Sequence, residues 1–293
     1  MNATTFLVQC LNAVQYGLLL FLVASGLTLI FGAMNIINLA HGSFYMVGAY
    51  MAYALAPFVG NYLYGGFFTT LLVGLLLSIA LGYLLEWAFF SLLYEREHLQ
   101  QVLMTYGLIL IFEELRSILV GDDVHGVAMP GWLSGTIPLG SLMTYPVYRL
   151  FISAVCLLVA LGMYLVLSRT RIGMAVRAGS VNREMAQSLG VNINFIYRLV
   201  FAAGVALAVL AGMIAAPVSS VYPGMGSQVL IICFVVVVIG GIGSVRGAFV
   251  AALLVGFVDT FGKVFFQEAA GVLVYLMMAA ILLWKPEGLF RQG

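Results

Sequence analysis

Charge is what this chain has least of. No Asp, Glu, Lys or Arg occurs before Glu86, and none falls between Arg198 and Arg246. Charged residues are 8% of the 293 positions and hydrophobic ones 63%, with a mean hydropathy of +1.12; a soluble domain is about half apolar and about a quarter charged. Uncharged apolar runs of this length exclude a soluble globular domain and leave a polytopic membrane protein. Cysteine is also scarce. Cys10, Cys156 and Cys233 are odd in number and sit in apolar stretches, which gives no disulfide framework. No Gly-x-x-x-x-Gly-Lys-[Ser/Thr] sequence occurs, and the nearest fragment, Gly262-Lys263-Val264, lacks the hydroxyl residue and the spaced glycine. His41, His98 and His125 are far apart with no His-x-x-x-His pair, so no metal site is expected. His41 is read instead as fixing a helix N-terminus or lining a polar cavity. No grouping of His, Cys, Asp or Glu suits catalysis, and the chain is expected to be no enzyme and to carry no cofactor. A net charge of +1 offers nothing to a nucleic acid.

What remains is a series of apolar runs. Nine membrane segments are predicted: Leu7–Phe31, Leu39–Ala56, Phe67–Leu93, Val102–Val120, Leu150–Leu167, Ile196–Ala216, Gln228–Gly241, Gly247–Val264 and Gly271–Trp284. The expected fold is therefore an all-α membrane bundle of about eight to nine spans of about 20 residues each. The seventh segment is short enough to be a broken or re-entrant helix. Repeated alternating segments of about ten residues, which a β-barrel would need, do not occur. The first run lacks a basic leader and exceeds a signal peptide's apolar region, so it reads as a retained span.

The sparse charge is concentrated. Five of the 12 Lys and Arg, namely Arg169, Arg171, Arg177, Arg183 and Arg198, lie in one polar stretch between two apolar runs. Basic loops stay cytoplasmic, which puts 169–198 inside, along with Glu95-Arg96-Glu97, Arg246, Lys285 and Arg291, and puts the N-terminus and the 121–148 loop outside. Arg149 and Lys263 are exceptions near the outer side. Within the basic stretch, Val181, Met185 and Leu189 recur every four residues, which predicts one apolar stripe on a short helix. Ser180 or Asn182 is the N-cap and Gly190 the stop.

Several polar residues fall within or beside the spans. Gln9, Asn12 and Gln15 share one broad helical face; they either line a translocation path or make interhelical hydrogen bonds. Asn35, Asn38 and His41 occupy a polar break between the first two spans, where irregular backbone lines a cavity. That break, Gly32–Phe44, is weakly echoed by Gly240–Phe249 at four matched positions, which either mark an internal repeat of a transporter or are what chance gives. Glu113, Glu114 and Arg116, and likewise Asp259 and Lys263, read as pairs, with a role in a solute path or in docking as the alternative. Glu86 reads as isolated, facing protein such as a partner subunit.

Four blocks then resemble one family. Gly26–Gly32 with Asn38–Tyr50, the loop residues Arg171, Gly173, Arg177, Ala178, Arg183, Glu184, Ala186 and Gly190, the segment Phe234–Ser244, and the tail Lys285–Phe290 together resemble LivH-type permeases, the membrane subunits of branched-chain amino-acid ABC importers. The chain departs from that pattern in Lys285, where the family commonly has Arg, and in Met185, where many permeases have Ala. The resemblance implies that 1–293 is a single transmembrane permease domain, with 169–195 as a cytoplasmic coupling loop inside it. Arg177, Val181, Arg183, Glu184, Met185, Ala186, Leu189 and Gly190 would then meet an ATPase. It further implies a bacterial inner-membrane assembly with a second permease of LivM type, two cytoplasmic ATPase subunits holding ATP and magnesium, and a periplasmic solute-binding protein. The solute is left open among branched-chain and other amino acids, urea, amides and aromatic acids. The competing reading is a stand-alone secondary transporter or channel. That reading needs a coupling-ion acid near the midplane, and the central parts of most spans have none.

Overall fold

The computed structural model describes residues 3–62, 66–94, 96–138 and 144–290; for residues 3, 61 and 62 it describes the backbone alone. Glu95 and Arg291, used above for orientation, lie outside the described residues. Each predicted span is one helix: α1 (Ala3–Met34), α2 (His41–Tyr62), α3 (Phe67–Ala88), α4 (His98–Val120), α5 (Val147–Arg169), α8 (Ile193–Ser219), α9 (Met225–Gly240), α10 (Val245–Phe265) and α11 (Ala270–Trp284). Two further helices, α6 (Arg171–Val181) and α7 (Arg183–Ser188), fill the basic stretch. The fold is an all-α, multi-pass membrane bundle. Among the described residues six helices, α1, α2, α3, α5, α8 and α10, are long and apolar enough to cross a bilayer, and α9 and α11 are shorter apolar helices. Helix α9 is short and unbroken. Its 16 residues reach about 24 Å at 1.5 Å per residue, less than a hydrocarbon core of about 30 Å.

The 121–148 region holds structure that the sequence did not suggest. A 3₁₀ turn at Gly131–Leu133 precedes a two-stranded antiparallel ribbon, β1 (Thr136–Pro138) and β2 (Thr144–Pro146), with Ile137 opposite Tyr145. Three-residue strands ending in proline are too short to show an alternating pattern. Burial raises the Tyr145 phenol above its usual pKa.

The chain divides into two compact units. One comprises Ser25–Val127 and Leu161–Ile231; the other comprises Met1–Ala24, Ala128–Ala160 and Ile232–Gly293. In the first, α8 packs against both α2 and α3, and its small residues are what allow it to. A β-carbon on Gly48 of α2 would collide with the Val209 carbonyl, and one on Gly212 of α8 with the Tyr45 carbonyl. Lipid gives helices no hydrophobic reason to associate, so close van der Waals approach through small residues takes that role. Phe201 of α8 fills the space beside this seam, 4.2 Å from the Phe90 ring and 6.2 Å from Phe44. In the second unit α10 packs on α11. There the tail closes on the end of α9 through Leu289 N–H to the Ile239 carbonyl, 2.8 Å, and Phe290 N–H to the Gly240 carbonyl, 3.2 Å.

Candidate functional site

The segment α6–α7 is capped at its two starts by side chains and at its far end by the backbone. Thr170 Oγ1 accepts from Gly173 N–H at 3.2 Å, starting α6. Asn182 Oδ1 accepts from Met185 N–H at 2.9 Å, starting α7. At the far end Gly190 has φ +86, its N–H donates to the Gln187 carbonyl (2.9 Å), and Val191 N–H donates to the Ala186 carbonyl (3.1 Å). This double bond pattern around a left-handed glycine is a Schellman stop. The predicted single stripe needs correcting. Asn182 has extended backbone, φ −154 and ψ 103, so Val181 ends α6, whereas Met185 lies on α7 and Leu189 at its C-cap. All three nonetheless project outward, 87%, 65% and 78% exposed, while Ala186 is buried. Arg177 and Glu184 are exposed, and Arg177 donates to the Leu167 carbonyl.

The root of α7 is a cluster of charge and aromatic rings. The Arg183 guanidinium lies 5.1 Å from the Tyr94 ring centroid and 5.9 Å from that of Tyr197. Those two rings are edge-to-face at 5.1 Å. The Tyr94 hydroxyl donates to Glu86 Oε1, and Arg198 Nε donates to Glu86 Oε2 at 3.0 Å. Arg198 also lies over the Tyr83 ring, 5.7 Å away. The Tyr197 hydroxyl donates to the Gly179 carbonyl of α6 at 3.5 Å. Glu86 is therefore not isolated. Its side chain is 0% exposed and is paired within this chain, as a carboxylate at membrane depth requires. Burial, then the bond to Glu86, pushes the Tyr94 phenol far up, so it remains a donor. Beside Arg183 a cleft of about 370 Å³, lined also by Tyr94, Ser91, Leu92 and Arg96, opens outward.

The polar break is ordered differently. Asn35 has φ +53 and is exposed. Asn38 and His41 are fully buried. Asn38 Oδ1 accepts from Ala40 N–H at 3.1 Å, fixing the entry to α2. His41, the first residue of α2, sets its ring edge-on to Phe44 at 6.2 Å and against Gly26. In the other unit, Ser244 Oγ accepts from Gly247 N–H at 3.1 Å and starts α10 after the second break. There Asn12 Oδ1 accepts from Arg149 of α5 at 2.6 Å, while Asn12 Nδ2 donates to Gln9 Oε1 at 3.4 Å. Gln15 is buried. Arg116 of α4 pairs with Glu113 (3.2 Å) and with Asp122 beyond the helix end (2.8 Å), and Lys263 pairs with Asp259 (2.5 Å), while Glu114 is exposed. The bond from Arg116 holds the Asp122 carboxyl below its usual range.

Set against known proteins, residues 9–282 match the family described as branched-chain amino acid transport system / permease component. The chain belongs to this family. The matched span takes in α6–α7 and both breaks of the permease. The high-affinity branched-chain amino acid transport system permease protein BraD of Pseudomonas aeruginosa is 30% identical over 97% of this chain and 95% of its own length. The corresponding LivH protein of Salmonella typhimurium is 26% identical over 97% and 95%. The probable branched-chain amino acid transport permease protein LivH of Methanocaldococcus jannaschii is 28% identical over 95% and 90%. No solved structure matches the permease significantly. Sequence reasoning missed Tyr83, Tyr94, Tyr197 and Arg198 as site residues. The only signal was Glu86 itself, a carboxylate in an apolar run that had to find a cation.

Proposed function

We propose that this permease is a membrane-spanning subunit of an ATP-driven importer of branched-chain amino acids, and that α6–α7 is where it docks on an ATPase. The observation that carries the reading is the outward row of Val181, Met185 and Leu189 on a segment capped at each joint. Apolar side chains exposed together on a polar, basic segment mark a protein contact. Arg177, Glu184 and Gly190 complete that surface. The partners are two cytoplasmic ATPase subunits that hold ATP and magnesium, a second permease of LivM type, and a periplasmic binding protein that delivers the solute. The assembly sits in the bacterial inner membrane with α6–α7 inside, and this chain performs no catalysis of its own. The names of the relatives support a branched-chain amino acid as solute. Asn35, exposed at the break, faces the translocation path, and Asn38 and His41 hold the backbone that presents it. Asn12 and Gln15 are the further candidates along α1. The test is isolation of the tagged chain from its native membrane, followed by reconstitution. Recovery with two ATPases and a second permease, with leucine uptake that requires ATP, is expected. An active homo-oligomer transporting without ATP would overturn the reading.

A further inference from the structure

We infer that Arg183 and Glu86 are positioning residues that clamp the docking helix α7 to the membrane helices α3 and α8, so that the three move as one body. The inference rests on the docking proposed above for the force that moves α7, but the clamp itself is argued from this chain alone. Helix α7 is joined to its neighbours by extended Asn182 on one side and left-handed Gly190 on the other. Neither joint transmits a displacement as a continuous helix would. The side chains supply the missing connection. Arg183, the first residue of α7, sits over Tyr94 and Tyr197. Tyr94 passes the contact to Glu86 on α3 through its hydroxyl. Glu86 is gripped by Arg198 on α8, and Tyr197, the residue before Arg198, also bonds α6.

The cluster suits this role because it is directional and closed. The Glu86 carboxylate uses one oxygen for Tyr94 and the other for Arg198. A shift of α7 relative to α8 lifts the Arg183 cation off the Tyr94 and Tyr197 rings, and a shift of α3 relative to α8 unpairs the buried Glu86 carboxylate, which is strongly opposed. A purely apolar contact at the same place would let the helices slide.

The test places spin labels at Gln187→Cys on α7 and Phe195→Cys on α8, both exposed, in a chain whose native cysteines are replaced. Distances are measured in the isolated complex with and without ATP and vanadate. A narrow distance distribution is expected, unchanged by nucleotide. Arg183→Ala and Glu86→Gln should each broaden it at least twofold, Tyr94→Phe less, and Arg183→Lys should restore part of the narrowing, with the ATPases still bound. A distribution equally narrow in all variants, or one that shifts with nucleotide in the unmodified cluster, overturns the clamp. Absence of ATPases from the unmodified complex overturns the docking reading instead, while the widths measured without nucleotide still decide the clamp.

Discussion

On the outer side of α6–α7, Val181 at the end of α6, Met185 of α7 and Leu189 at its C-cap turn apolar side chains outward. On the other, Ala186 is buried and Arg183 is held over two tyrosines. The first side has apolar surface exposed on a polar, basic segment; the second sets its cation against aromatic rings inside the chain. A surface of the first kind is completed by another protein, and a cluster of the second kind fixes where that surface points. The two sides should therefore fail differently under mutation: damage to the root lowers the stability of this subunit, and damage to the outer face leaves stability intact while removing a partner.

The sharpest way to break the contrast is at Glu86. Glu86→Leu strands the Tyr94 hydroxyl and the Arg198 guanidinium without their shared acceptor, and a cost of about 3 kcal/mol is expected. Thermal unfolding of the subunit in detergent measures it; a melting curve unchanged from the original would show that the pair contributes nothing. Next comes Gly190→Pro. It forbids φ +86 and removes the N–H that closes the helix on Gln187, a local loss of about 3 kcal/mol confined to α7. Amide exchange over 183–190 should accelerate while the spans stay protected. Asn182→Ala removes the cap on Met185 N–H and should cost about 1 kcal/mol, visible as a smaller acceleration over the same residues. The least effect on stability, within about 0.5 kcal/mol, is expected from Met185→Ser and Leu189→Ser, because both side chains are already in solvent. If either lowered the melting temperature as much as Glu86→Leu, the division between face and root would be wrong.

Among the described residues the predicted spans were legible as helices because lipid forces apolar runs to become helices. Asn182 and Gly190 were legible for a local reason: caps act on backbone groups two or three residues away, so the sequence carries the signal. The stripe was misassigned because a four-residue repeat assumes continuous helix, and extended Asn182 interrupts it at Val181. The clamp was not legible. Glu86 and Arg198 lie 112 residues apart, and nothing in either neighbourhood names the other; only the close passage of α8 along α3 brings them together. The polar break was half legible. Its irregular backbone was anticipated, but burial of Asn38 and His41 beside an exposed Asn35 depends on the packing of α2.

The central claim, that the outward face of α6–α7 is the seat of an ATPase, is tested most directly by charging that face alone. The doubly substituted chain Met185→Asp, Leu189→Asp is isolated by its tag from the native membrane, beside the unsubstituted chain, and bound ATPase is quantified. The account predicts normal amounts of inserted chain with an unchanged melting temperature, and at least tenfold less ATPase recovered with it. Full recovery of ATPase by the substituted chain would contradict it.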